Sequence, residues 1–280
     1  MRVILLGGAG FVGRHLGRAL EARGDRITVA SLRDPAAAAQ LSSGHDAVVN
    51  LAGASVSKRW SAEQKTAIAH SRIDLPRAYL AALARVDAKP ASYISASATG
   101  YYGTSRSATF VETSPPGDDF LARVCVGWET EARRAEELGL RVALIRTGLA
   151  LGSDGGALAA LLPLFGLGLG GVIASGAQWY SWIHIDDLVG IYLHALDGAS
   201  GALNATAPNP VTNRTFTKVL GAALKRPTLL PVPAFAIELV LGEGATVVVE
   251  GQRVLPQATQ RSGYAFTYPA LDEALAALVS

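Results

Sequence analysis

An α/β fold built on a doubly wound parallel sheet is what this sequence predicts, and three observations carry the prediction. The chain opens on a continuous apolar run, "RVILLG", of the kind expected for a strand covered on both faces. A glycine turn and a helix-period segment ended by Gly24, "FVGRHLGRALEARG", follow it directly. Further apolar runs then alternate with helical segments up to Gly148. Such alternation places ligands at the carboxyl ends of the strands.

In order along the chain, "RITVASL" reads as a second strand and "HDAVVNLAGA" as a third, with a short alanine-rich connection between them. A long helical region over residues 61–86 precedes "ASYISASATGYYG", a fourth strand that runs into a loop. The helix "DFLARVCVGWETEA" and the strand "LRVALIRTG" close the alternating series. This is a Rossmann-type arrangement over residues 1–149. Residues 150–280 form a smaller C-terminal substrate-side region that is free to cross back to the sheet. There the pattern loosens into glycine-rich connections, the short strand "YSWIHI", helices from Asp187 and Thr212, and small terminal helices with one extended segment. The apolar "LLPVPAFAIELVLG" is expected either to cover the substrate cleft or to form a subunit contact.

At 280 residues, half of them apolar, with a net charge of +2, the chain is long enough for a large core and lacks the basic balance of a nucleic-acid binder. A small-molecule partner is the expectation, with no nucleic acid, no membrane, and a monomer or homodimer. The run over residues 155–185 has the length of a membrane span, but glycines, a proline, Gln178 and Ser181 interrupt it. The single cysteine, Cys125, has no internal disulfide partner, and "MRVILLGGAG" enters a strand without a signal-peptide pattern; a cytoplasmic location is expected. The His, Asp, Glu and Cys residues show no metal-ligand spacing.

"GGAGFVG" sets Gly7, Gly10 and Gly13 in G-x-x-G-x-x-G spacing between strand and helix. Glycine is required where the turn takes unusual backbone angles, where main chain approaches a pyrophosphate, and where helix packs closely on strand. The helix N-terminus adds unpaired N–H groups from Phe11, Val12 and Gly13. At the end of the second strand, "VASLRDP" puts Ser31 where an NAD site keeps an acid, and Arg33 follows. NADP, as NADPH, is therefore favoured over NAD; the competing possibility has Arg33 solvated and Asp34 facing the ribose. Leu51, Ala52 and Gly53 lie in "NLAGA", whose small residues either let the adenosine half of a nucleotide approach the backbone or simply pack tightly, and Ser95 lies on the neighbouring strand.

With these residues assembled, the sequence resembles the extended and atypical branch of the short-chain dehydrogenase/reductases, and within it the epimerase-like family labelled nucleoside-diphosphate-sugar epimerase or cell-division-inhibitor homologue. The motifs that carry the resemblance span the chain: "GGAGFVG", "NLAGA", "KRWSAEQK", "SASATGYYG", "DFLARVCVGWE", "LIRTGLALG", "SWIHIDDL" and "NATAPNPVTN". The superfamily implies a serine and a tyrosine that bind and protonate a substrate oxygen, with a lysine that lowers the tyrosine pKa. Ser97 matches the serine. Aligned on Glu129, the tyrosine position holds Leu121 and the lysine position holds Cys125, so both acid-base groups are missing.

The resemblance then directs attention to other groups. Tyr101 and Tyr102 follow Ser97 and are candidates for the substrate-facing hydroxyl. Arg146 ends a strand beside the expected nicotinamide, and Lys65 or Arg72 would bring a positive charge to the same cleft. Gln178, Trp182 and His184 fall near the substrate pocket of related folds; His184 with Asp186 suggests a general base or a structural histidine, and Asp187 a helix cap. The implied function is an NADP-dependent oxidoreductase or epimerase-like enzyme acting on a carbonyl compound or nucleotide sugar. The alternative is a non-catalytic NADP-binding sensor or regulatory protein.

Overall fold

The structure, a computed structural model, describes residues 1–279. The chain runs β1 (Arg2–Leu6), α1 (Phe11–Ala22), β2 (Arg26–Ala30), α2 (Pro35–Leu41), β3 (Ala47–Asn50), α3 (Ala62–Arg72), α4 (Asp74–Leu83) and β4 (Ser92–Ala98). It continues through β5 (Thr109–Phe110), α5 (Phe120–Arg133), β6 (Arg141–Thr147), β7 (Leu149–Gly152), α6 (Gly156–Gly166), β8 (Trp179–Tyr180), β9 (Trp182–His184) and α7 (Ile185–Leu196). After β10 (Gly201–Ala205) come β11 (Val211–Thr212), α8 (Asn213–Ala223), α9 (Ala234–Leu241) and β12 (Arg253–Val254), with small helices around and after them.

Six strands form one parallel sheet in the order β10-β6-β4-β3-β1-β2. The chain leaves β1 toward β2 on one side and later returns to β3 on the other. The order therefore reverses at β1, which opens a crevice at the carboxyl ends of β1 and β3. Gly7 and Leu51 follow those two strands, and the Leu51 N–H donates to the Leu6 carbonyl at 2.8 Å. β10, from the second half of the chain, joins the sheet beside β6.

Strand alternation explains both covered faces. Val3 and Leu5 point to one side, where they pack with Leu16 and Leu20 of α1 and Leu188 and Ile191 of α7. Ile4 and Leu6 point to the other, against Ala38 of α2, Tyr79 and Leu83 of α4, and Ala132 of α5. Each such aliphatic side chain contributes about 1.5–3 kcal/mol on burial, so this two-sided core fixes the register of the loops at the strand ends. A separate core formed by Leu158, Phe165, Tyr180, Trp182, Phe216 and Leu275 holds the second half together.

The expected single helix over residues 61–86 is two. Pro76 has no N–H to offer the Arg72 carbonyl, and the chain turns at Ile73 (φ −112°, ψ −59°) before α4 begins. α9 buries none of its residues, and Phe235, Leu239 and Val240 are exposed. Its C-terminal end reaches the loop before α3: the Trp60 N–H donates to the Leu241 carbonyl at 3.2 Å. Nearby, Lys65 pairs with Glu243.

Candidate cofactor and substrate site

The turn after β1 is shaped by contacts that no side chain would survive. Gly7 has φ +85°, and a Cβ there would lie 2.9 Å from the backbone of Ala52, at the end of β3. A Cβ on Gly13 would meet the Gly8 carbonyl oxygen at 2.6 Å, so α1 rests directly on the turn. Gly10 starts α1 without any side-chain cap, and no acid occupies the first turn. The N–H groups of Phe11, Val12 and Gly13 are thus left for an anion, which is the donor set a pyrophosphate requires. The Phe11 ring turns away into a glycine collar, where a Cβ on Gly152 would come within 2.5 Å of it. Asp154 of the same collar binds His15 at 2.9 Å.

At the end of β2, Ser31, Arg33 and Asp34 are exposed. Asp34 is committed, since its Oδ1 accepts from the Ala37 N–H at 3.0 Å and caps α2. The Arg33 guanidinium has no partner among the described residues; only its main chain is engaged, donating to Ser31 Oγ at 3.2 Å. At the end of β3, Asn50 Oδ1 accepts from the Ala52 N–H at 3.1 Å, and its amide donates to the Tyr93 hydroxyl at 2.9 Å. That buried asparagine sets the path of Leu51, Ala52 and Gly53.

Between β4, α5 and β6 lies a buried polar network. Ser97 Oγ donates to Glu129 Oε1 at 2.7 Å. Arg146 grips the same carboxylate with Nε and Nη2, both at 2.8 Å. Its Nη1 donates to the Tyr102 hydroxyl at 2.9 Å and to the Glu112 carbonyl at 3.0 Å. The Tyr102 hydroxyl in turn donates to Asn204 Oδ1 at 2.7 Å. Burial pushes the Tyr102 phenol up to about 12, against the opposing pull of Arg146. Burial by itself lowers the Arg146 pKa, but the hydrogen bonds and charge of Glu129 outweigh it and raise the net value.

This geometry alters what Ser97, Tyr102 and Arg146 are expected to do. All three are at most 3% exposed and their polar atoms are engaged inside the protein, so Arg146 is a buried structural cation instead of a cofactor ligand, and Tyr102 is a poor proton donor. Tyr101 differs: its ring stacks on the Arg146 guanidinium at 3.5 Å, it is partly exposed, and its hydroxyl has no partner among the described residues. Ser95 is fully buried and donates to the Ala96 carbonyl at 3.0 Å. Leu121 and Cys125, one turn apart on α5, both face Gly100: a Cβ there would be 3.4 Å from Leu121 Cβ and 3.8 Å from Cys125 Sγ. Burial pushes the Cys125 thiol up to about 12, which removes it as a nucleophile.

The comparisons with known proteins agree with this frame. The NAD dependent epimerase/dehydratase family matches residues 3–205, and a domain of unknown function, DUF1731, matches residues 232–278. The chain belongs to the NAD dependent epimerase/dehydratase family. It is 43% identical over 303 residues to the Arabidopsis thaliana protein called epimerase family protein SDR39U1 homolog, chloroplastic, covering 100% of this chain and 87% of that one. It is 38% identical over 295 residues to the Homo sapiens epimerase family protein SDR39U1, with 100% of both chains covered. The crystal structure of human epimerase family protein SDR39U1 (isoform 2) with NADPH superposes with a TM-score of 0.92, at 35% identity, over 100% of this chain and 99% of that one.

In this family member the substrate-side residues picked from sequence divide. Trp182 is fully buried in the second core, its Nε1 donating to the Asn209 carbonyl at 3.1 Å. His184 is 2% exposed, stacks on Tyr268 at 3.9 Å, and caps α7 by accepting from the Asp186 N–H at 3.1 Å. Burial lowers its pKa, against the pull of Asp186 and Asp187. Both side chains are buried, and His184 Nε2 has no hydrogen-bond partner among the described residues. Asp187 is no cap; it receives the Thr267 and Tyr268 N–H groups at 2.8 and 2.9 Å and ties down the C-terminal segment. Gln178 lines a cavity of about 180 Å³ with Thr104, Ser105, Arg106, Glu250 and Gly251, and its Oε1 has no partner. Among the described residues no helix is long and apolar enough to cross a membrane, and no group of three His, Cys, Asp or Glu is placed to hold a metal.

The sequence reading missed Glu112, and it named Asn204 only as the first residue of the "NATAPNPVTN" motif, not as a member of this network. Glu112 Oε1 accepts from the Asn204 and Thr259 N–H groups at 3.1 and 3.2 Å, which joins β10 and the C-terminal segment to the network. No local pattern reveals these contacts, because the partners are remote in sequence.

Proposed function

We propose that this chain binds NADPH along the carboxyl edge of the sheet and acts as an NADP-dependent oxidoreductase or epimerase-like enzyme on a carbonyl compound or nucleotide sugar. The end of β2 carries the choice of nucleotide: Asp34 is spent as a helix cap, whereas the Arg33 guanidinium is free for a 2′-phosphate. The NADPH in the human relative supports the same choice. Gly7, Gly10 and Gly13 with the start of α1 would hold the pyrophosphate, and Leu51 to Gly53 would flank the nucleotide. A bound NADPH supplies a hydride to a substrate carbon.

Proton supply falls to Tyr101. Of the hydroxyls of Ser97, Tyr101 and Tyr102, only that of Tyr101 is unengaged, so it donates to the substrate oxygen while Ser97 holds Glu129 and Arg146 in place. Gln178, across the same loop region, is the polar group left for substrate. The reading includes a cytoplasmic protein, monomeric or homodimeric.

A non-catalytic NADP-binding sensor is the second reading, and α5 favours it, since Leu121 and Cys125 face Gly100 where an acid-base pair would be useful. The experiment is a screen of carbonyl compounds and nucleotide sugars for NADPH consumption by the wild type and Tyr101→Phe. An enzyme whose acid is Tyr101 loses about 10²-fold or more in kcat in the variant, with NADPH affinity unchanged. Tight NADPH binding without turnover of any compound supports the sensor instead.

A further inference from the structure

Phe11 faces both halves of the molecule. Its N–H opens the first turn of α1, among the groups left for an anion, and its ring enters the turn between β7 and α6, over residues 152–156. A Cβ on Gly152 would lie 2.5 Å from Phe11 Cζ and one on Gly156 2.9 Å from Phe11 Cε1, while one on Gly155 would overlap the ring. Three glycines thus let the main chain of that turn wrap on one aromatic ring. The turn itself is narrow, with Leu151 bridged to Gly156 and Gly152 to Gly155.

Two more residues on the same face of α1 complete the grip. At spacings of three and four from Phe11, Arg14 and His15 reach the tip of the turn: Asp154 Oδ1 lies 2.9 Å from His15 Nε2, and Oδ2 lies 3.6 Å from Arg14 Nη2. The His15 ring also meets Phe11 edge-on, with centroids 5.3 Å apart. Beyond the turn, α6 sends Leu158 and Phe165 into the second core, beside Leu151 and Trp182. A direct route from the glycine turn to that core therefore runs through the Phe11 ring.

The uncapped start of α1 makes this route responsive. Gly10 offers no side-chain cap and no acid lies in the first turn, so an anion bound there fixes the first turn and, with it, the place of the ring. We propose that Phe11 is a positioning residue that couples nucleotide binding at α1 to the fit of the 152–156 turn, so that the cofactor pyrophosphate orders the entry to α6 in the substrate-side half. The proposal rests on the nucleotide-binding reading above and adds to it a path from the cofactor to the substrate side. Linkage makes the coupling reciprocal: the factor by which NADPH holds the turn closed is the factor by which the ring holds NADPH.

The test is hydrogen exchange of the main-chain amides over residues 152–158, with and without saturating NADPH, in wild type, Phe11→Leu and Phe11→Ala, alongside NADPH titration and thermal unfolding. In wild type NADPH should slow exchange there about fivefold or more, with α8 of the same half changed less than about twofold. Phe11→Ala keeps the N–H but not the ring, so the slowing should fall below about twofold and NADPH affinity should drop about fivefold. Phe11→Leu, which retains part of the apolar plug, should lie between the two; if Phe11→Ala does not fold, slowing in Phe11→Leu equal to that in wild type overturns the proposal and smaller slowing supports it. Slowing retained in Phe11→Ala overturns it, whatever the loss of thermal stability, because the nucleotide would then act on the turn without the ring. Slowing of equal size in α8 does so too, as a general stabilisation. If the wild type binds no NADPH, the nucleotide-binding reading itself fails; if it binds NADPH and exchange over 152–158 is unchanged, only the coupling is wrong.

Discussion

Glu129 is the residue on which the buried network turns, since it accepts from Ser97 Oγ and from Nε and Nη2 of Arg146. Removing one partner of a buried pair leaves an uncompensated charge, a loss of about 3–5 kcal/mol. Glu129→Gln is therefore expected to lower unfolding stability by about 3 kcal/mol in urea titrations; a loss below about 1 kcal/mol would show that Arg146 finds other compensation. His184 gives a pH signature. Its folded pKa lies below the ordinary value of 6.5, so below about that pH the unfolded chain takes up a proton that the folded chain refuses. Stability is complete above that value and declines as pH falls through it toward the folded pKa. His184→Asn, which keeps a capping oxygen, should flatten this part of the profile of thermal midpoint against pH. These roles were not legible in the sequence: Ser97 and Glu129 are 32 residues apart, Tyr102 and Asn204 are 102 apart, and strand position does not reveal whether a hydroxyl meets ligand or carboxylate.

Among the elements, the β1–turn–α1 unit was readable because each of its glycines answers a local demand. Gly13 permits α1 to touch Gly8, and its replacement by alanine forces a Cβ onto a carbonyl that has no room to move. Gly13→Ala should cost about 1–3 kcal/mol of stability and weaken NADPH binding at least about tenfold, as measured by unfolding and titration together. Preserved affinity would place the phosphate elsewhere. The helical region before β4 was legible in period but not in its break, because the effect of Pro76 depends on whether the helix is already running when it is reached. The capping part expected of Asp187 falls to His184 for a comparable reason: both lie at the start of α7, and only the docking of the 264–268 segment leaves Asp187 to anchor that segment.

At the scale of the whole molecule, the apolar runs and their alternation with helices specified the parallel sheet, since strands covered on both faces have few other arrangements. What they left open was how β10 and the residues after it return to the sheet and close over the 101–112 loop, because this depends on Glu112, Asn204 and Thr259 meeting across the fold. The sheet order sets the end of β2, which leads to Arg33, beside the glycine turn after β1, and nucleotide choice follows from Arg33. Arg33→Ala should reduce the preference for NADPH over NADH about tenfold while leaving NADH affinity nearly unchanged. The most direct test of the central claim is a paired equilibrium titration of the purified wild-type protein with NADPH and NADH, read by cofactor fluorescence. The account predicts saturable binding with a clear preference for NADPH; failure of both nucleotides to bind at millimolar concentration would contradict it.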